Sequence, residues 1–390
     1  MATTPKVSVL VPTFNRADLL PQALDSLLGQ SRPPDEVIVV DDGCTDGTAE
    51  ALDRYQGRIQ VLRQANTGKS GALNRGLRAA TGNVVWFFDD DDVALPDTLE
   101  RHLRALQDQP EAGFTLSPGP MCDPDPVRGE LVPWPVQPSA VPFDRASFLA
   151  YVLVAFPYPF HLQGGLVRRA CVDGAGGFDA EILRSQDYGF LFQLALRYPV
   201  LRIDRPAYLH RQGSHARGTQ QLAHAAIERT THWTRFGRLL WEKWQAQLDL
   251  MDHLPRDPRG RRLEASPERV RDARVARCAA LYAKGLWAEL QEELDRAFRG
   301  WPAGTACGRF AAELWMNTVI RLRINLWAEL DRTSAWEALA GRLRGPAAGY
   351  LGWLMAKALA HRRTQVLRPE EQSILAQLDR MLADLQPRNP

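Results

Sequence analysis

The stretch Val84–Asp92 constrains the fold of this chain most strongly, because an apolar run leads directly into four consecutive aspartates. The run Val84–Phe88 is rich in β-branched and aromatic residues and has no helical periodicity, which predicts a buried strand. The carboxylates of Asp89–Asp92 would repel one another at the end of that strand unless a cation lay among them. Oxygen ligands of this kind suit Mg²⁺ or Mn²⁺. The alternative interpretation is a solvated acidic turn.

Three earlier segments repeat the same arrangement of an apolar strand, a polar motif and an amphipathic helix. The predicted strands are Val7–Val11, Glu36–Val40 and Ile59–Leu62, and the predicted helices are about 18–30, 48–55 and 70–80. Such alternation predicts βαβ units and a parallel sheet. All strands then point the same way, so the polar motifs meet at one edge, where open α/β sheets bind ligands.

The residues expected at that edge suit a nucleotide diphosphate. Asp42 could hydrogen-bond a base or ribose, Lys69 could meet a diphosphate, and the aspartates could hold a bridging metal. Taken singly, Asp41–Gly43 is more typical of a turn, and Lys69 of a surface lysine. Their convergence favours a binding site.

Four ordered motifs resemble those of the inverting family 2 glycosyltransferases over about residues 6–215. The motifs are Val7–Arg16, Val39–Asp46, Asn66–Gly76 and Phe87–Asp92. The resemblance implies a GT-A-like, Rossmann-like fold, with a mixed, mainly parallel sheet and flanking helices. It also implies a nucleotide-diphosphate sugar donor, with a UDP-sugar favoured, and Mn²⁺ or Mg²⁺ as cofactor.

The resemblance assigns roles to individual residues by position. Those implied to bind the nucleotide sugar are Thr13, Asn15, Asp41, Asp42, Lys69, Asp89 and Asp90. Asp91 is implied as the direct metal ligand, together with Asp89, and His210 is a third candidate. The closing segment Tyr208–His215 departs from the family pattern, because Arg211 takes the place of its histidine. Either His210 or His215 could serve instead, and solvated loop histidines are the alternative.

Asp187 matches the family's catalytic base, after Gly176–Asp179, although Gln186 replaces the usual neighbouring glutamate. The base would accept the acceptor's proton in a single, inverting displacement. The alternative is a carboxylate that complements the dipole at the start of a helix.

The 390 residues are enough for two domains, which we predict as 1–215 and a helical domain at 216–390. The proline-rich stretch Ser117–Pro142 predicts a loop or loose hairpin near the site entrance. It is either a passive insertion or an acceptor contact in which Trp134 stacks on a sugar. In the second half, we expect the tryptophans to form core, His253–Pro267 to be a linker, and Ala279–Phe298 to be a helical hairpin.

Composition limits the partners and the compartment. The net charge is +2, and the arginine-rich stretch 256–277 lacks interleaved aromatics, so nucleic acid is not expected. That stretch is either a solvated face or a peripheral contact with an anionic membrane or phosphorylated acceptor. Five scattered cysteines without a C-x-x-C motif predict a reducing compartment, and no signal-peptide pattern or apolar span is present. We therefore expect a cytoplasmic location, with the inner face of the membrane as the alternative.

The leading hypothesis is sugar transfer to a hydroxyl of a glycan or lipid-linked acceptor in bacterial polysaccharide biosynthesis. One rival is a nucleotidyltransferase that uses the same sheet edge and would not need Asp187. The other is a helical interaction protein with a degenerate transferase domain, against which the intact acids Asp42, Asp89, Asp91 and Asp187 argue.

Overall fold

The structure of the chain is a computed structural model with two compact units. It describes residues 5–125, 130–134, 143–154, 161–183, 185–212, 236–257, 259–301, 307–311, 313–315 and 318. The first unit comprises Met1–Phe148 with Tyr158–Ala223, and the second comprises Leu149–Pro157 with His224–Pro390. The predicted boundary at residue 215 lies outside the described residues and stays a prediction.

The first unit contains eleven described strands. They are β1 (Val7–Thr13), β2 (Glu36–Asp41), β3 (Gln60–Arg63), β4 (Val84–Phe87), β5 (Val93–Ala94), β6 (Phe114–Leu116), β7 (Met121–Pro124), β8 (Leu131–Pro133), β9 (Val167–Arg168), β10 (Val200–Arg202) and β11 (Tyr208–Arg211). Seven of them form the central sheet, in the order β10-β6-β9-β4-β1-β2-β3.

The predicted mixed, mainly parallel sheet is confirmed. β1 lies between β2 and β4 and is parallel to both, and β2 is parallel to β3. β9 is antiparallel to β4 and β6, whereas β10 is parallel to β6. Every residue of β1 is buried, as expected of a strand covered on both faces.

Helices follow the strands in chain order. They are α1 (Leu20–Leu28), α2 (Thr48–Asp53), α3 (Gly68–Ala79), α4 (Thr98–Asp108), α5 (Phe148–Val154), α6 (Arg169–Ala175) and α7 (Gln186–Arg197). In α1 the buried residues are Leu20, Ala23, Leu24 and Leu27, which share one face at helical spacing. The three helices predicted in the first ninety residues are confirmed, with ends that differ by a few residues.

A second sheet places β11, which lies late in the first unit, next to the segment that follows Asp89–Asp92. Its strand order is β5-β11-β7-β8. β11 pairs with β5, which begins directly after Asp92, so His210 and Arg211 come close to the acidic run. β7 and β8 are antiparallel, which confirms the hairpin form of the proline-rich stretch. Residues 126–129 and 135–142 lie outside the described part.

The described residues of the second unit are helical apart from short connections. Residues 236–244 form α8, which is followed by the 3₁₀ turns Gln245–Gln247 and Leu250–His253, then α9 (Pro267–Ala283) and α10 (Trp287–Phe298). α9 and α10 pack as the predicted hairpin, and Gly285 supplies the left-handed residue at the turn, with φ +63°.

Three tryptophan side chains among the described residues of the second unit form core, as predicted. Trp241, Trp244 and Trp315 are buried, and Tyr282 packs edge-on against Trp315 with 5.5 Å between ring centroids. Trp233, Trp327, Trp336 and Trp353 lie outside the described residues. In the part of the chain that the structure describes, no helix has the length and apolarity needed to span a bilayer.

Acidic side chains neutralise much of the arginine-rich stretch 256–277. The ion pairs are Arg256–Asp252 (3.5 Å), Arg261–Asp257 (2.9 Å), Arg262–Asp252 (2.6 Å), Arg271–Asp272 (3.1 Å) and Arg274–Glu293 (2.7 Å). Each pair reduces the positive charge available to an anionic surface. Membrane contact through this stretch stays a prediction.

Lys284 is a buried ammonium in the second unit, and we expect it to make stability depend on pH. Its Nζ donates to the carbonyl of Leu153 and lies 5.4 Å from the ring centroid of Trp241. Burial lowers the pKa of Lys284 from 10.5 to about 7. Between those values the unfolded chain holds a proton that the folded unit releases, so stability rises with pH, by at most ~1.4 kcal/mol per pH unit.

Lys284→Met should therefore raise the free energy of unfolding at pH 8, by roughly 1–3 kcal/mol, because it removes the cost of releasing the lysine's proton when the side chain is buried. It should also flatten the dependence on pH between 7 and 9.5. Urea unfolding across that range would measure both effects, with the exposed Lys243→Met as the control. A Lys284→Met variant less stable than wild type at pH 8 would contradict this expectation.

Candidate active site

The carboxyl ends of β1, β2 and β4 meet at one edge of the central sheet. Thr13, the last residue of β1, pairs with Asp41, the last of β2. β4 runs parallel to β1 on its other side, and Asp89 follows two residues after β4 ends. The parallel topology therefore brings the strand-end motifs to a common edge.

Asp89, Asp91 and Asp92 form the acidic cluster of this edge. One carboxylate oxygen from each lies within 4.8 Å of the others. The side chain of Asp89 is 26% exposed, whereas that of Asp92 is fully buried. Three carboxylates at this spacing would repel one another without a cation, and their hard oxygen atoms suit Mn²⁺ or Mg²⁺. The donor set thus fits the divalent ion that the sequence motif implies.

Asp92 is the anchor of the acidic cluster. Its Oδ2 accepts hydrogen bonds from Gln163 Nε2 at 2.7 Å and pairs with His210 Nδ1 at 3.0 Å. Its Oδ1 accepts from the backbone N–H of Arg211 at 2.8 Å. Both oxygens are therefore engaged by the protein, which fixes the carboxylate's orientation.

Arg211 supports the acidic cluster from β11. Its Nε donates to the backbone carbonyl of Asp91 at 2.8 Å, and its terminal nitrogen donates to Gln22. The guanidinium group thus holds the backbone of a predicted metal ligand, at the position where the family pattern has a histidine. Burial lowers the pKa of Arg211, and the charges of Asp91 and Asp92 counteract that shift.

His210 lies beside the acidic cluster and contacts it through Asp92. Its ring stacks on that of His161, with 4.5 Å between centroids, and His161 Nδ1 lies 2.8 Å from the hydroxyl of Tyr208. The cluster of converging ligand atoms among the described residues consists of aspartates. Metal ligation by His210 stays a prediction, and His215 lies outside the described residues.

Lys69 connects the acidic cluster to the predicted base. Its Nζ lies 2.6 Å from Asp89 Oδ1 and 3.2 Å from Asp187 Oδ1. Burial acts to lower the pKa of Lys69, but the two carboxylates raise it well above its ordinary value. Lys69 is therefore a permanent cation at this edge of the sheet.

Asp187 reaches the site from the first turn of α7. Phe178 and Phe190 stack at 4.5 Å between ring centroids, and both pack edge-on against Phe87 at the end of β4. Asn74 of α3 holds the preceding loop through two hydrogen bonds with the backbone of Phe178. Burial raises the pKa of Asp187, and Lys69 opposes that rise.

Asp90 lies behind the acidic cluster, next to β1. Arg16 Nε is 3.9 Å from its Oδ1. Burial and the charge of Asp91 raise the pKa of Asp90 to about 7, although Arg16 and Thr13 favour its ionised form.

Asn15 and Asp41 shape the loop region expected to hold the nucleotide. Asn15 has a left-handed backbone, with φ +54°, and its side chain accepts a hydrogen bond from the N–H of Thr45 at 2.8 Å. Asp41 Oδ1 accepts from the N–H of Cys44 at 2.8 Å. The Asn15 bond ties the loop after β1 to the loop after β2, and the Asp41 bond closes a turn within the second of these loops.

Asp42 binds the loop that precedes α3. Its carboxylate accepts hydrogen bonds from the backbone N–H groups of Thr67 and Gly68, both at 2.8 Å, and from Gln64 Nε2 at 2.7 Å. A carboxylate at a helix N-terminus also complements the helix dipole. Asp42 therefore has a structural role that the sequence pattern did not reveal, and its contact with a nucleotide stays a prediction.

Asp42→Ala should destabilise the first unit by about 3 kcal/mol, because it removes a buried, charged acceptor of three hydrogen bonds. Urea unfolding would measure the loss. Asp53→Ala is a suitable control, since Asp53 is exposed in α2 and its replacement should change the free energy of unfolding by less than about 0.5 kcal/mol. Equal stability of Asp42→Ala and wild type would contradict this role.

The sequence analysis did not identify Gln163 or Asp92 among the site residues. The burial of Asp92 cannot be predicted from the sequence, because Asp89–Asp92 are four identical residues. Gln163 lies in a short 3₁₀ turn, Leu162–Gly164, with no motif around it. The weak signal available was a polar residue placed between apolar ones just before a glycine pair.

Comparisons with known proteins agree with the motif reading. Residues 8–128 match the family model Glycosyl transferase family 2. An uncharacterized glycosyltransferase from Nostoc sp., alr2836, is 40% identical over 106 residues, which are 26% of this chain and 33% of that protein. TuaG of Bacillus subtilis, a putative teichuronic acid biosynthesis glycosyltransferase, is 38% identical over 109 residues, 27% of this chain and 43% of that protein. The match thus spans less than half the length of either relative. The predicted family resemblance is confirmed over residues 8–128.

Solved structures that resemble this chain have lower sequence identity to it. S. aureus TarS has a TM-score of 0.47 and 20% identity, covering 92% of this chain and 54% of that protein. The mannosyltransferase PcManGT from Pyrobaculum calidifontis, in complex with GDP-Man and Mn²⁺, has a TM-score of 0.44 and 22% identity, covering 90% of this chain and 88% of that protein.

Proposed function

We propose that this chain is a metal-dependent, inverting glycosyltransferase. It moves a sugar from a nucleotide-diphosphate sugar, with a UDP-sugar favoured, to a hydroxyl of a glycan or lipid-linked acceptor in bacterial polysaccharide biosynthesis. The match of residues 8–128 to family 2 supports the reaction class. The similarity to a putative teichuronic acid biosynthesis enzyme supports the pathway class.

The observation that carries the proposal is the position of Lys69 between two carboxylates from distant parts of the chain. Asp89 comes from the end of β4 and Asp187 from the start of α7, yet one ammonium group contacts both. A cation in this place would stabilise a diphosphate leaving group, and the separate carboxylate would be available to the acceptor hydroxyl.

Asp89 and Asp91 would hold the divalent ion, and Asp92 would orient them from behind. A divalent ion in this place supplies positive charge that stabilises the departing nucleotide diphosphate. Lys69 adds a second positive charge on the side that faces Asp187. Arg16, beside Asp90, adds a third near Thr13.

Asp187 would act as general base. Its Oδ accepts the proton of the acceptor hydroxyl while the acceptor oxygen bonds to the anomeric carbon, and the bond from that carbon to the diphosphate oxygen breaks. One displacement inverts the anomeric centre. Burial raises the pKa of Asp187 and so makes the carboxylate a stronger base, while Lys69 keeps it ionised.

Thermal unfolding with nucleotides tests the donor site. Wild type would be heated with and without Mn²⁺ in the presence of UDP, GDP, dTDP or CDP. A ligand at 100 times its dissociation constant adds ~2.7 kcal/mol to stability, which is readily measured. We expect one nucleotide, UDP first, to stabilise the protein only when Mn²⁺ is present. If all four nucleotides leave the midpoint unchanged with Mn²⁺, the donor class is wrong.

A further inference from the structure

Gln163 is a buried polar side chain that touches the acidic cluster. The residue is 1% exposed. Its Nε2 lies 2.7 Å from Asp92 Oδ2 and 3.5 Å from Asp89 Oδ2. Its backbone carbonyl accepts the indole N–H of Trp86, a core residue of β4, at 2.9 Å. The amide group is therefore held in place from the same strand that delivers the aspartates.

The other end of the amide has no hydrogen-bond partner among the described residues. Gln163 Oε1 is buried and unpaired. The orientation of the amide follows from its neighbours, because exchanging oxygen and nitrogen would set the carbonyl oxygen against two carboxylates. An unsatisfied buried acceptor costs about 1–3 kcal/mol, so a purely structural role would favour an apolar side chain at this position.

We propose that Gln163 is a positioning residue of the cation site, whose Nε2 fixes the carboxylates of Asp92 and Asp89 at the spacing that a divalent ion needs. This inference rests on the metal site of the proposed function and adds a residue to it.

The effect of Gln163 acts through Asp92. Gln163 and His210 hold Asp92 Oδ2, and the backbone N–H of Arg211 holds Oδ1. With one of these three donors lost, Asp92 would be held less firmly and the spacing of the acidic cluster would change. Partners that orient metal ligands typically contribute 10- to 100-fold to metal affinity.

The test is Mn²⁺ binding to the full chain, first with Mn²⁺ alone and then with UDP, measured from the electron paramagnetic resonance signal of free Mn²⁺. We expect Gln163→Leu to weaken Mn²⁺ binding about tenfold or more. Gln30→Leu is the matched control. Gln30 is also a buried glutamine of the first unit, but its amide bonds Ser26, Leu95 and Leu99, away from the acidic cluster. Its replacement should leave Mn²⁺ affinity within twofold of wild type.

Gln163→Glu gives a second readout that a merely structural role would not move. The glutamate keeps the shape but sets a fourth carboxylate against the acidic cluster. We expect a lower thermal midpoint without metal and a larger upward shift on adding Mn²⁺ than wild type shows. This variant also keeps the test valid if Gln163→Leu does not fold.

The outcomes separate the two proposals. If wild type binds Mn²⁺ while both Gln163 variants show wild-type affinity and midpoint shift, Gln163 has no role in the cation site and the proposed function stands. If wild type binds no Mn²⁺ with or without UDP, both the metal dependence and the role of Gln163 are wrong.

Discussion

Asp187→Asn should reduce sugar transfer by ~10³-fold, within the range that a general base contributes. Asparagine preserves the size of the side chain but cannot accept the proton of the acceptor hydroxyl. Lys69 keeps its 2.6 Å contact with Asp89 in this variant, so the metal and donor groups stay in place. Binding of Mn²⁺ with UDP should therefore remain within about threefold of wild type, a change of less than about 1 kcal/mol.

Transfer from the donor that the nucleotide screen identifies would measure this loss, and calorimetric titration would measure binding. Asp173→Asn is the matched control, because Asp173 is an exposed aspartate of the same unit that pairs with Arg169 at 2.8 Å. An exposed ion pair contributes at most about 1 kcal/mol, so the control should keep full activity. Asp187→Asn with a tenth or more of wild-type transfer would rule out the base role.

Asp91→Asn should weaken Mn²⁺ binding about 100-fold, because a neutral amide replaces a carboxylate in the acidic cluster. The stabilisation by UDP with Mn²⁺ should vanish with it. Without metal, the same substitution should instead increase the stability of the protein. Removing one of three like charges relieves repulsion, so the metal-free variant should be more stable than wild type by about 1 kcal/mol.

Thermal unfolding of Asp91→Asn with EDTA would measure the expected gain in stability without metal. Unfolding with Mn²⁺ and UDP would measure the expected loss of stabilisation by ligand. Asp108→Asn, at the exposed end of α4, is the control and should behave as wild type in both conditions. A metal-free Asp91→Asn that is less stable than wild type would show that Asp91 is mainly a structural residue. An unchanged response to Mn²⁺ with UDP would remove Asp91 from the cation site.

The sequence alone was sufficient to predict the strands that carry the site and their direction. The apolar runs at β1, β2 and β4 are buried as predicted. The alternation of strand and helix predicted a parallel sheet with its polar motifs at one edge, and the structure has that topology. These features can be predicted locally, because the hydrophobic pattern of a strand or a helix extends over consecutive residues.

Hydrogen-bond partners could not be predicted in the same way. The sequence predicted a nucleotide contact for Asp42 but not the hydrogen bonds by which its carboxylate holds the loop before α3. Asp92 resembles its three neighbours in sequence, yet in the structure it is the anchor. The arginines of the second half suggested an exposed basic face, yet acids from the same unit neutralise several of them. Burial and pairing depend on which distant segments meet.

What the sequence by itself determined is the α/β fold of the first unit and the chemical character of its edge, since acidic residues at the end of a buried strand are a local pattern. What only the tertiary structure decided is which groups act on one another. Lys69 meets Asp187 across 118 positions, and Gln163 meets Asp92 across 71. The physical reason is that hydrogen bonds and charge interactions act over a few ångströms in space, whatever the separation along the chain.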